Sequence, residues 1–307
     1  MMHVWVSEGP GSERGGPRRR PRRGKIVSGA SDKYILTKPL GRRPGVYHAD
    51  CGGLDFAVKI HDLRYHFHRE SFLRERTIRD ILVREGHTHK NILIPHELVE
   101  QNSEGYIITP LVAGTLESLV VRGKKFFLPE DIAHLVTGIC DALQYLYDKN
   151  ILHRDVKPAN VFLEINGTCS GHIGVAPSNY MAKISDFGIA FHWSLSHLEV
   201  PDTLLGTEYY LAPEQWQFSH SDHRADLYSL GVTLFRLFTG RVPFTGDVAA
   251  VAEAHLRRDI PDLARYNKKI PPLVSALVFK AMAKEPEERY QSATELKEAF
   301  LYAVQKS

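Results

Sequence analysis

Long apolar runs are missing from this chain of 307 residues: none approaches the roughly 20 that a membrane-crossing helix needs. The N-terminus has no apolar signal-peptide core, so the expected location is the cytoplasm and not the secretory route. Cysteine is scarce. Cys51, Cys140 and Cys169 are odd in number and far apart, which argues for reduced thiols and against a disulfide framework or a cysteine zinc site. Charge of one sign is scarce too, with a formal net charge of only +3.

That small excess is unevenly placed. Residues 1–25 hold seven Arg and Lys against Glu8 and Glu13, a net +5, so the remainder is at −2 with 32 basic and 34 acidic residues. The stretch GSERGGPRRRPRRGK is rich in Gly, Pro and Arg and has too little apolar surface to fold. Residues 1–30 therefore read as a disordered basic leader. A weak anionic partner, nucleic acid or a membrane surface, is the alternative use. No aromatic residues interleave with the arginines as a single-strand binder requires.

Beyond the leader the composition is that of a globular protein, 43% hydrophobic and 24% charged, and the length suits one large domain or two lobes. Residues 33–40, 45–50 and 54–60 read as short strands between Gly and Pro punctuation. Residues 67–85 read as a helix, with Phe72, Leu73, Ile78, Ile81 and Leu82 among charges. NILIPHELVE and GYIITPLV read as two more strands. The remainder is mainly helical. Helices are expected over 129–150, over an almost wholly apolar 226–240 ending on Gly240, and over 292–304, where Ser292 and Glu295 form a capping box.

The densest cluster of polar residues is ILHRDVKPANVFLE, residues 151–164. A folded domain brings so many polar groups to an apolar segment only where each finds a partner. HRDVKPAN is followed by KISDFGIA and then by GTEYYLAPE, and AVKI with Lys59 lies upstream. Each piece alone is weak. The order Lys, HRD…N, DFG, APE resembles the protein kinase family, in particular bacterial-type serine/threonine kinases, over about residues 33–303.

The resemblance implies an α+β bilobal fold: an antiparallel-sheet N-lobe with one main helix over 31–109, a hinge at 110–112 and a mainly helical C-lobe over 113–307. It implies ATP, Mg²⁺ or Mn²⁺, and protein substrates with Ser or Thr acceptors, the chain itself included. Phosphoryl transfer asks for positioning and charge neutralisation more than covalent help. Asp155 is placed to orient the acceptor hydroxyl and take its proton, and Lys157 to neutralise the transferred group. Asn160 and Asp186 offer oxygen ligands to a hard cation. Lys59 is expected on the α/β-phosphates. Leu40, Gly41, Gly45, Val46 and Ala57 form the roof of the nucleotide site, with Phe162 as its floor, Thr109 as gatekeeper, and Pro110 and Val112 as hinge contacts. Asp226 is expected to hold the catalytic-loop backbone, and Glu214 to pair with Arg289.

Lys59 needs a helix carboxylate. Glu75 in FLRERTI fits the local pattern; Asp80 fits the usual distance to the following HKNI. Glu75 is preferred, and the loop after the helix is then longer than usual. The glycine-rich segment PLGRRPGVYHA looks shortened, and Pro44 removes a donor there. Arg154 is a receptor for an activation-loop phosphate, with Thr203 preferred over Ser194 and Ser196. Residues 164–182 read as a surface hairpin insertion. His66, His68, His87 and His89 form two H-x-H pairs without an acidic or cysteine ligand to complete a metal site. Two other functions compete: a pseudokinase-like nucleotide-binding scaffold, favoured by the short loop, and a small-molecule kinase, which would lack the GT…APE segment.

Overall fold

The computed structural model describes residues 24–40, 45–84, 89–122, 126–165, 177–195, 208–217 and 221–306. The first third is an antiparallel six-stranded sheet: β1 (Ile26–Ser28), β2 (Lys33–Pro39), β3 (Val46–Cys51), β4 (Leu54–Asp62), β5 (Glu97–Gln101) and β6 (Glu104–Pro110). The strand order is β1-β2-β3-β4-β6-β5. Side chains alternate as pleated strands require. Tyr34, Leu36, Ala49, Phe56, Val58, Tyr106 and Ile108 form a small core on one face. The other face of β3 and β4 carries the cross-strand pairs Val46 with Lys59, His48 with Ala57, and Asp50 with Asp55.

The sheet begins earlier than the expected boundary at residue 31. β1 lies inside the stretch read as leader and pairs with β2. Val27 is fully buried, Lys25 Nζ bonds Glu104 at 2.5 Å, and the Ala30 N–H donates to Glu97 at 2.6 Å. Three residues are too few to show a period, so only the partner strand and two carboxylates elsewhere in the sheet reveal this one. Residues 1–23 lie outside the described residues.

The helix α1 (His66–Arg84) packs beside the sheet. Its buried face is mixed: Phe72, Ile78 and Leu82 are joined by Glu70, Ser71, Arg74 and Glu75. The segment NILIP stays outside the sheet, because Ile92 bridges Ile184 and the Leu93 N–H donates to Ile184.

The rest is helical around a three-stranded sheet of β7 (Gly114–Thr115), β8 (Val161–Ile165) and β9 (Tyr180–Ile184). β8 and β9 pair antiparallel, and His134 bonds the carbonyls of Pro177 and Tyr180 to fix the returning strand. The middle of the expected insertion, residues 166–176, lies outside the described residues. The helices are α2 (Leu116–Arg122), α3 (Ala133–Asp148), α4 (Pro213–Trp216), α5 (His223–Thr239), α6 (Val248–Arg257), α7 (Pro272–Ala281) and α8 (Ala293–Gln305). α5 runs through the middle of the large core and ends on Gly240 at φ 77°, a left-handed cap that glycine adopts without strain. Ser292 caps α8 by accepting the Glu295 N–H at 3.0 Å. The Glu295 carboxylate reaches one residue further back than a capping box requires and accepts from the Gln291 N–H.

Candidate active site

The polar cluster at residues 151–160 is held from behind by α5. Asp226, buried in the first turn of α5, accepts the backbone N–H groups of His153 and Arg154, each at 2.8 Å. Burial raises the pKa of its carboxyl, and these bonds work against that rise. The His153 ring, fully buried, donates from Nε2 to the Ser185 carbonyl at 3.1 Å. That leaves Nδ1 as the acceptor for the Asp155 N–H at 3.2 Å. One imidazole therefore ties the Asp155 turn to the strand leading into Asp186. Arg154 and Asp186 both hold left-handed backbone, φ 65° and 73°. Such positions cost on the order of 1–3 kcal/mol and persist only where surrounding bonds impose them.

Asp155, Lys157 and Asn160 converge. Asp155 Oδ2 accepts from Lys157 Nζ at 2.5 Å and from Asn160 Nδ2 at 2.7 Å. Asp155 Oδ1 and Asn160 Oδ1 are buried and have no hydrogen-bond donor among the described residues. Two buried oxygens without donors carry a desolvation cost that a bound hydroxyl or cation relieves.

On the opposite wall, Lys59 of β4 donates to Asp186 Oδ1 at 2.8 Å. Glu75 of α1 is 2% exposed, accepts from the Phe187 N–H and lies within electrostatic reach of both. Burial and the neighbouring Asp186 charge push its carboxyl up to about 8, against the pull of Lys59. Asp80 is elsewhere: its side chain is 47% exposed and faces Arg79 at 3.5 Å. Arg79 stands four residues after Glu75. It turns outward and donates to the carbonyls of Pro95 and His96, so it needs no apolar pocket.

Leu40, Gly45, Val46, Ala57, Thr109, Pro110, Val112 and Phe162 are all half-buried, as the lining of an open cleft is. The Leu40 N–H donates to the Val46 carbonyl. Gly45 sits at φ 87°, a backbone that a side chain would strain. Ala57 pairs with Thr109 across β4 and β6, and the Leu111 N–H donates to the Asp55 carbonyl. Gly41 lies outside the described residues, as do Arg42, Arg43 and Pro44.

The histidine pairs point to different places. His66 faces Glu70 at 3.8 Å, His68 packs edge-on against His61, and His89 stacks on Tyr145. His87 lies outside the described residues, among which no group of three His, Cys, Asp or Glu clusters as a metal site.

The model of the protein kinase domain matches residues 46–301. The chain belongs to the protein kinase family. Among its relatives, the serine/threonine-protein kinase PrkC of Bacillus subtilis is 30% identical over 276 residues, 89% of this chain and 40% of that protein. The probable serine/threonine-protein kinase PknB of Lactococcus lactis is 31% identical over 277 residues, 89% of this chain and 42% of that protein. The chain thus spans about two fifths of the length of these relatives. A crystal structure of the Mycobacterium tuberculosis PknI kinase domain superposes with a TM-score of 0.65 at 24% identity, covering 92% of this chain and 98% of that one. It shares the bilobal α+β fold. Kinases of this family use ATP and a divalent cation. No helix among the described residues is long and apolar enough to cross a membrane.

One feature of this chain was not legible in its motifs. Arg74, one residue before Glu75, looks in sequence like another surface charge of α1, yet it is 2% exposed. It lies close enough to Arg154 that its charge joins burial in pushing the Arg154 guanidinium down to about 10, against the pull of Asp226. Arg154 also stacks on the Phe191 ring at 4.5 Å. The expected Glu214–Arg289 pair forms, and it is buried. Arg289 holds Glu214 in a fork with two bonds of 2.7 Å and also bonds the carbonyls of Ala283, Arg224 and Lys284. Breaking such a pair costs about 3–5 kcal/mol, since one charge is left buried.

Proposed function

We propose that this kinase transfers the γ-phosphoryl group of ATP to Ser and Thr hydroxyls of proteins, its own activation segment included. The observation that carries this is the convergence of Asp155, Lys157 and Asn160 opposite Lys59, Glu75 and Asp186. A domain that only binds a nucleotide has no use for a buried carboxylate oxygen directed at an acceptor.

Asp155 Oδ1 is the acceptor for the proton of the incoming hydroxyl. Lys157, already on the other carboxylate oxygen, orients Asp155 and lies beside the site of the transferred charge. Lys59, bonded to Asp186 and within electrostatic reach of Glu75, would hold the α- and β-phosphates. The Asn160 carbonyl oxygen and the Asp186 carboxylate are oxygen donors that suit Mg²⁺ or Mn²⁺. That cation, when bound, neutralises phosphate charge. Val46 and Ala57 cover the adenine, Phe162 supports it, and Pro110 and Val112 present hinge backbone groups. Among the described residues the Val112 N–H makes no hydrogen bond and is open to the base. The basic leader, and any anionic partner for it, lies outside the described residues.

The test is Asp155→Asn. It removes the proton acceptor and leaves the nucleotide walls intact. ATP with Mg²⁺ should still raise its melting temperature as in wild type, while transfer of labelled phosphate to a Ser/Thr peptide disappears. Wild-type transfer by this variant defeats the assignment.

A further inference from the structure

Thr37, His48 and Asp55 form a chain of side chains that no step above uses. Thr37 Oγ1 lies 2.7 Å from His48 Nδ1, and His48 Nε2 lies 2.8 Å from Asp55 Oδ1. The carboxylate can only accept, so Nε2 carries the proton. In the neutral ring Nδ1 is then the acceptor for the Thr37 hydroxyl, which also lies 3.3 Å from the His48 carbonyl. The chain crosses β2, β3 and β4, with Thr37 near the end of β2 that leads to the glycine-rich segment.

The register places it on the nucleotide side. His48 pairs with Ala57, and Val46 with Lys59, all on one face of the sheet. At Thr37 the β2–β3 ladder breaks: Leu36 pairs with Ala49, Lys38 with His48, and Thr37 is the extra residue of a bulge. The backbone ladder therefore does not fix this point, and the hydroxyl bond does. At the other end, Asp55 accepts the Leu111 N–H of the hinge at 3.1 Å through its backbone carbonyl. The relay thus runs from the base of the nucleotide loop, past the roof residue Ala57, to the hinge.

We propose that the Thr37–His48–Asp55 relay is a positioning device for ATP, setting the spacing between the loop root and the hinge so that Val46 and Ala57 close on the adenine. This rests on the assignment of Val46 and Ala57 as the adenine roof. The three residues touch neither the reacting phosphate nor the acceptor. Their loss loosens the roof and leaves the transfer step as it is.

The experiment uses the full chain, with ATP varied at saturating peptide. Thr37→Val removes one hydroxyl at constant shape, and His48→Ala and Asp55→Ala remove the other two members. Each should raise KM for ATP about three- to tenfold, the worth of one or two net hydrogen bonds. kcat should stay within about twofold of wild type by the same reckoning. Thr37→Val with Asp55→Ala should cost less than the product of the single effects, because both break one chain. Unchanged KM for ATP in Thr37→Val and His48→Ala overturns the proposal, as does a fall in kcat at constant KM. Ala57→Phe, read by the ATP-induced rise in melting temperature, tests the roof itself. If that rise survives, the roof assignment falls and this inference with it. If it is lost while the relay variants bind ATP normally, only the relay falls.

Discussion

Asp226 holds Arg154 by its backbone: one carboxylate oxygen accepts the Arg154 N–H at 2.8 Å, and the other accepts that of His153 at the same distance. The left-handed turn at Arg154 follows from this bond, and the turn sets where Asp155 stands. Asp226→Ala should lower stability by about 1–3 kcal/mol, the cost of orphaning buried donors. It should also reduce kcat strongly while ATP-induced stabilisation remains. Thermal melting with and without ATP, beside peptide kinetics, checks both; a variant with wild-type kcat refutes the role of the turn.

Glu75 and Asp80 separate by charge. Glu75→Gln should cut activity by about 10²–10³-fold, the usual loss on removing one electrostatic group from such a site. Asp80→Asn, at an exposed position, should change it little. Glu75 also predicts a pH effect in the nucleotide-free protein. Its carboxyl is raised from an ordinary 4.5 to about 8. The folded state therefore binds this proton more tightly than the unfolded state does. The associated stability is fully present below about pH 4.5 and is lost as pH rises towards 8. Melting curves across that window should show Glu75→Gln gaining on wild type as pH rises. A constant difference between the two would mean that Glu75 is already ionised throughout.

The buried Arg74 and the half-buried Arg154 are faced by the carboxylates of Glu70 and Asp226. A phosphate carrying about −1.5 to −2 charges would meet two cations there. Thr203 is the preferred acceptor, although it lies outside the described residues. Mass spectrometry of wild-type protein should find phosphate there, with none in Asp155→Asn. Thr203→Ala and phosphatase treatment should each lower activity about ten- to a hundredfold, the range of a lost charge-assisted bond. Full activity with an unphosphorylated segment between Asp186 and Glu214 would rule this mechanism out.

The N-terminal segment offers a boundary test. Deleting residues 1–23 should leave the melting temperature and peptide kinetics unchanged. Deleting 1–30 also removes β1, with its fully buried Val27 and the Lys25–Glu104 bond. Burying such a side chain is worth about 1.5–3 kcal/mol, so the longer deletion should melt several degrees lower. Equal melting temperatures would show that β1 adds nothing to the sheet.

By itself the sequence determined the family and the two-lobed order of strands and helices, and it named the residues that the fold brings together at the candidate site. HRDVKPAN, DFG and APE are short, and their chemistry is fixed by residue type: only certain side chains can accept a proton, hold a cation or neutralise a phosphate. The capped helices ending at Gly240 and starting after Ser292 were legible for a similar reason, because caps are local. Tertiary structure decided what depends on distant partners. Glu75 and Asp80 are both acids on one helix, and only packing put the first against Phe187 and left the second in solvent. Arg74 is one of many arginines until the fold buries it beside Arg154. β1 has too few residues to show a period and exists because Leu36, Glu97 and Glu104 wait for it. The Thr37–His48–Asp55 chain is spread over three strands, and its hydrogen bonds come into being only when sheet register sets those strands side by side.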